Sequence, residues 1–515
     1  MRKSVARFGL LSLVCSLCIS GCGTSMLDAK TRGWVVVDTA DLRVRSDAGA
    51  EQVVEMAARY QRMHDAIAEH ELPCGFDRLT LPLEVTLFKQ YADPSFHRVA
   101  QTNLLGLRAQ IVVHTASQND SVDYFTHELT HRLLSVCFPT ATAWLHEGMA
   151  SFYQTARLHE DTLELGFPPY ATMPPSKRDG HDEVYEITVG GRNVLALPAS
   201  MVPGATELRM MSRAEFYDSG LQRKLFNYAG AWTLVHLLRL GDMVLSPRFA
   251  AYLQMLQQGR RESTAWQESF GDYALDERYT DYLAEDPFSR VRSVQVAEPE
   301  DLVARPMSQG EAALMLAQLE DWGDDKAEKR VRAYIDFAVE QSSTQRSALL
   351  LRGAVSAVRG DVAGAERSFE TALELDPSNP DALAALIHFH MDVATKYRST
   401  AAKYARRAQE LTRAATRAYH FAVAASWLTY VDGDAWAGLA LAERAVELDG
   451  TSFMAYVTAG DAAAALGQLD KALGAYQAAL ALSRAHGEDV RHELEARMVA
   501  LRERSEASGP KPWLE

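Results

Sequence analysis

The chain has 515 residues, too many for one hydrophobic core, so roughly three domains are expected. Hydrophobic residues make up 47% and charged residues 23%, the balance of folded globular protein, which excludes a largely disordered chain. The formal net charge of -15 excludes a general affinity for phosphate backbones, so nucleic acid is not an expected partner.

The first segment reads as a leader. Arg2, Lys3 and Arg7 form a positive stretch, and residues 8–19 form an apolar one too short for a stable membrane span. It ends in Ile19-Ser20-Gly21-Cys22, which resembles the bacterial lipobox, where the cysteine is lipidated and becomes the new N-terminus. The resemblance implies a signal peptide over residues 1–21, a lipid anchor at Cys22, a short tether over 22–33 and a place in the bacterial envelope. Gly23 stands where an inner-membrane retention signal has Asp, so the resemblance favours the outer membrane, with a periplasm-facing anchor as the expectation. Cys15 and Cys18 leave with the signal. Cys74 and Cys137 remain, and in an oxidising compartment they either form a bridge or stay as two buried thiols.

From residue 34 to about 115 the pattern is mixed α/β. Residues 34–37 and 83–88 read as strands on either side of a helix over about 50–70, with a further short strand at 111–113. The polar cluster at 117–121 opens a helix over about 122–136, and Phe138-Pro139-Thr140 joins it to a second helix over about 142–158. Together these make one α/β subdomain, residues 34–160. A stretch rich in Gly and Pro, about 167–204, reads as irregular. Beyond 214 apolar residues recur at three- and four-residue intervals, so 161–286 is expected to be mainly helical, and 287–307 reads as a linker.

Beyond residue 309 the sequence is helical and repetitive. Residues 346–379, 419–452 and 453–486 superpose in a frame of about 34 residues. Gly360, Gly433 and Gly467 share one position, and Ala372, Ala445 and Ala479 another. Ala365, Gly438 and Ala472 share a third, where small side chains permit close helix packing; Phe369 and Tyr476 fill a bulky position that Ala442 does not. This frame resembles the tetratricopeptide repeat, although the early Trp of that repeat is absent. The resemblance implies an all-α solenoid over 308–486, with a diverged unit at 380–418, another helix pair near 311–339, and a capping helix and tail over 487–515. Stacked helix pairs build a concave groove suited to an extended peptide or a helix, which makes a protein partner the expectation. Tyr430, Trp436 and Tyr456 are candidates either for lining that groove or for filling the core between repeats.

The chemistry-bearing motif is His127-Glu128-Leu129-Thr130-His131. Residues four apart project from one face of a helix, so His127 and His131 can reach one metal ion while Glu128 stands beside its open position as a general base. An apolar ridge of Phe125, Leu129 and Leu133 lies on the same helix. A catalytic zinc takes three protein ligands and leaves one position for water. The third is expected from the return helix, Trp144-Leu145-His146-Glu147-Gly148-Met149-Ala150-Ser151-Phe152-Tyr153, which begins after a turn of suitable length. On that helix His146 points about 100° away from Glu147, and His159 lies three turns further on. Cys137, six residues after His131, is the remaining candidate.

These two helices resemble the gluzincin clan of zinc metallopeptidases, and most closely its bacterial peptidase MA-like branch. The resemblance covers about residues 34 to 285 and implies an α+β zincin-like domain ahead of the solenoid. It makes Glu147 the third zinc ligand and Glu128 the catalytic base in peptide-bond hydrolysis. It also implies that Gly148 and Ala150 let the two helices approach, and that a Tyr or His from the helical half supports the oxyanion. Tyr228 is the leading candidate for that role, with His236 behind it. Ser151 stands where thermolysin has a carboxylate that orients a ligand histidine, a departure from the family. The expectation is therefore a zinc-dependent envelope peptidase whose repeats recruit substrate or partner proteins; the alternative is a zincin-fold lipoprotein that serves as a repeat scaffold.

Overall fold

The computed structural model describes residues 30–72, 82–89, 110–114, 118–138, 141–173, 185–189, 192–217, 220–258, 260–284, 291–299, 301–320, 322, 324–396, 398–450, 452–482 and 488–507. The leader, the lipidation candidate Cys22, most of the tether and Cys74 lie outside the described residues.

The chain opens on β1 (Val35–Asp38), β2 (Leu42–Ser46), β3 (Leu83–Phe88) and β4 (Gln110–His114), completed at one edge by β11 (Ala304–Pro306) in the order β11-β1-β2-β3-β4. The β1–β2 pair is antiparallel, and β2, β3 and β4 run parallel. Parallel neighbours need a crossover. Between β2 and β3 it is α1 (Ala50–Asp65), extended by one π-helical turn, Ala66–Glu71. Successive strand side chains point to opposite faces, so β3 serves two cores. Leu83, Val85 and Leu87 join the core built by α1 and by α2 (Gln118–Cys137). Phe88 joins a second core with Trp34 and Val112, its ring edge-on to Trp34 at 5.4 Å. Glu84 is buried on that second face and is held by Arg45 at 2.5 Å.

The expected linker at 287–307 is corrected here. It contributes β10 (Arg292–Gln295), which pairs with β6 (Thr162–Leu165), and β11, which pairs with β1. A strand with exposed backbone groups is an open pairing edge, and β11 covers that of β1. The helix expected over 142–158 ends earlier: α3 spans Ala143–Gln154, and the chain then turns into β5 (Arg157–Leu158), beside β6. The stretch expected to be irregular holds β7 (Tyr170–Met173), β8 (Tyr185–Val189) and β9 (Arg192–Pro198) in the order β7-β9-β8. Helices follow: α4 (Ala205–Met210), α5 (Arg213–Tyr217), α6 (Leu221–His236), α7 (Leu245–Gln257), α8 (Glu262–Phe270) and α9 (Leu275–Ala284).

α3 is buried along nearly its whole length and packs against both α2 and α6. Gly148 is essential to the second of these contacts, because a Cβ there would stand 2.5 Å from the Ala231 carbonyl oxygen and 2.7 Å from Val235. The nearest atoms to that Cβ thus belong to α6.

The C-terminal part is an all-helical, tetratricopeptide-like solenoid. Its helices are α10 (Gln309–Leu319), α11 (Asp325–Glu340), α12 (Gln345–Val358), α13 (Val362–Leu375), α14 (Pro380–Lys396), α15 (Arg398–Ala414), α16 (Ala418–Trp427), α17 (Ala435–Leu448), α18 (Phe453–Ala465) and α19 (Leu469–Leu482), closed by α20 (Glu488–Ala507). They pair in sequence as hairpins. Gly360, Gly433 and Gly467 each adopt a left-handed conformation, φ 76°, 76° and 72°, at the turn inside their hairpin, which is why one repeat position keeps glycine. Phe369 lies against Gly353, and Tyr476 lies against Gly460 at the same positions of a later repeat. In the repeat between them the pair is Ser426 and Ala442, both buried: where the large ring is lost, the small partner grows. Trp436 is 67% exposed and Tyr430 49%, so neither fills the core between repeats.

Candidate metal centre

α2 places His127 and His131 one turn apart on the face that meets α3, and α3 returns Glu147 to the same point. The two Nε2 atoms are 3.1 Å apart, and Glu147 Oε2 lies 3.5 Å from that of His127 and 3.3 Å from that of His131. A tetrahedral zinc with bonds of about 2.0–2.1 Å separates its ligand atoms by roughly 3.3 Å, so these three spacings are those of a ligand set. Glu147 Oε2 is buried and faces the two imidazoles, and a cation among the three atoms offsets the cost of burying its charge. The residues fit a zinc ion.

Electrostatics support the same arrangement. Burial pushes the Glu147 carboxyl up, but the two imidazoles, His131 foremost, outweigh it and hold it well below the usual carboxylate range. Burial lowers His127, and hydrogen bonding and charge from Glu147 more than reverse this, leaving it above the ordinary histidine value. Glu128 is half-buried, one step round the helix from His127. Tyr124 is one turn before it, and burial together with the Glu128 charge pushes the phenol up to about 12.

Two contributors were not foreseen. Gln154, at the end of α3, accepts a hydrogen bond on Oε1 from His127 Nδ1 at 3.1 Å, which leaves Nε2 facing the other two ligand atoms. It takes the orienting position that Ser151 does not fill, since the buried Ser151 hydroxyl has no hydrogen-bond partner among the described residues. Gln154 is seven residues past Glu147 on one helix face, a spacing visible in the sequence once α3 is drawn to its end. Tyr217, the last residue of α5, donates its hydroxyl to Glu147 Oε1. No local pattern marks it, because α5 has only five residues.

Tyr228 packs its ring against Phe216 at 5.6 Å, with the Lys224 ammonium 5.8 Å from its centre. His236 is fully buried and shares a hydrogen bond of 2.7 Å with Tyr282, so it serves the core. His146 is buried with its ring beside that of His131, and His159 pairs with Glu164. Cys137 is disulfide-bonded and so is no thiolate ligand; its partner is outside the described residues. Asp41, His64 and Asp65 form a second cluster, but Gln61 donates to both carboxylates, at 2.8 and 2.6 Å, and knits it together as a hydrogen-bonded knot.

No family model matches the chain, and no curated protein matches it. Among solved structures it is similar to MamA protein, with 20% identity over 33% of this chain and 98% of that chain and a TM-score of 0.22. It is also similar to yeast Tom70, with 14% identity over 60% of this chain and 71% of that chain and a TM-score of 0.27.

Proposed function

We propose that the chain is a zinc-dependent peptidase of the bacterial envelope whose repeat solenoid holds substrate or partner proteins. The observation that carries this reading is the convergence of His127, His131 and Glu147 at tetrahedral ligand spacings, with Glu128 beside them. Zinc, when bound by these three residues, acidifies a water molecule and polarises the scissile carbonyl. Glu128 takes the proton of the attacking water and returns it to the leaving amine. Tyr217, whose hydroxyl stands at the Glu147 carboxylate, joins Tyr228 as a candidate donor to the oxyanion. The lipobox and the disulfide-bonded Cys137 both support an exported, oxidising location.

A repeat scaffold without peptidase activity is the second reading. It is favoured by the sheet, which devotes Trp34, Phe88 and Val112 to a core shared with the solenoid helices. One comparison separates the two. The zinc-loaded parent cleaves casein, and Glu128→Gln keeps the zinc while losing roughly 10²–10⁴-fold in rate. Equal cleavage by both proteins excludes hydrolysis at this centre.

A further inference from the structure

The solenoid reaches the metal centre through an ion pair. Arg132 on α2 lies 3.8 Å from Asp449, the residue just after α17, and their side chains are 23% and 25% exposed. Arg132 follows His131 directly and stands one turn beyond Glu128, so Tyr124, Glu128 and Arg132 share one stripe of the helix. A glutamate four residues before an arginine is the favourable order for an ion pair on a helix. Local sequence therefore directs the Arg132 guanidinium towards Glu128. In the structure Asp449 is its partner instead, and it is the one carboxylate within ion-pair distance of Arg132 among the described residues. Asp449 is fixed by its own turn: its N–H donates to Ala445 and its carbonyl accepts from Ser452. At the same position of the first repeat, Asp376 pairs with Arg346 of that repeat. The third repeat thus turns a residue used locally elsewhere towards the active-site helix.

We propose that Asp449 is a positioning residue that draws Arg132 away from Glu128 and keeps the Glu128 carboxylate available for proton transfer. This rests on Glu128 as the base of the peptidase reading. It makes the solenoid part of the catalytic apparatus, because moving its third-repeat turn off α2 returns Arg132 to the base.

The test uses the zinc-loaded full-length chain on fluorescent casein, with Asp449→Asn, Arg132→Gln and the double variant, and a crystal structure of Asp449→Asn. Asp449→Asn is expected to lose about tenfold in kcat/KM, part of what a positioned base supplies, with its zinc retained. Arg132→Gln keeps the parent rate, and the double variant regains it. In the crystal structure Arg132 comes within ~4 Å of the Glu128 carboxylate. A purely structural ion pair makes Arg132→Gln as harmful as Asp449→Asn and leaves the double variant unrescued, and that pattern overturns the proposal. So does an Asp449→Asn structure in which the guanidinium stays off Glu128. A parent chain that binds zinc but cleaves nothing defeats the peptidase reading separately, and the crystal structure still decides the pairing.

Discussion

At the scale of single residues, the proposed chemistry rests on His127 Nε2, His131 Nε2 and Glu147 Oε2, and the charge of each depends on the others. The raised His127 contributes stability that is full below its unfolded value, about 6.5, and is lost as pH rises through its folded value. The depressed Glu147 contributes stability that is full above about 4.3 and is lost as pH falls through its folded value. The metal-stripped protein is therefore expected to melt at progressively lower temperature as pH is raised above about 6.5, while its zinc affinity increases because fewer protons compete. Melting curves in chelator check this, with Glu147→Gln predicted to flatten the dependence; a parent curve already flat there contradicts it. Gln154→Ala removes the acceptor that sets the His127 tautomer and is expected to weaken zinc binding roughly 10–100-fold with little change in melting of the metal-free chain. A competition titration reads that loss. The meeting of His127, His131 and Glu147 was legible because four-residue spacing fixes a helix face whatever the fold. Tyr217 was not, since its approach to Glu147 depends on where a five-residue helix is carried by tertiary packing.

At the scale of elements, the repeats were readable because each small residue answers a local demand. A left-handed turn requires Gly360, Gly433 and Gly467, and a facing ring requires Gly353 and Gly460. The Ser426–Ala442 pair predicts an exchange. Gly353→Ser alone drives a side chain into Phe369, whose ring lies 2.4 Å from a Cβ at that position, and is expected to cost about 1–3 kcal/mol. Adding Phe369→Ala reproduces the combination of the middle repeat and recovers part of that loss, whereas strictly additive costs in denaturant unfolding contradict the complementarity. Strands were harder to read than helices. β10 and β11 are only four and three residues long, too short for a period of two to stand out, and their partners lie more than a hundred residues earlier. For the same reason the stretch around β7 to β9 looked irregular, its Gly and Pro residues masking short strands.

At the scale of the whole molecule, one sheet joins two cores. Leu83, Val85 and Leu87 face the helices that build the candidate metal centre, while Trp34, Phe88 and Val112 face the solenoid side, and β11 fastens the chain between them to the sheet edge. Residues 287–307 read as a linker in the sequence because nothing local reveals the pairing. A chain ending at residue 300 loses β11 and leaves the second sheet face bare. It is therefore expected to aggregate in size-exclusion chromatography while the full chain stays dispersed; a soluble, zinc-binding fragment of that length would show the two parts to be separable. The account as a whole depends on a cation between the two helices. The most direct measurement is X-ray absorption on the metal-stripped full-length protein reconstituted with zinc at neutral pH. The prediction is one zinc per chain with two imidazole nitrogens and one carboxylate oxygen at about 2.0–2.1 Å, abolished in Glu147→Gln paired with His131→Ala. A protein that takes up no zinc, or one whose zinc spectrum is unchanged in that double variant, contradicts it.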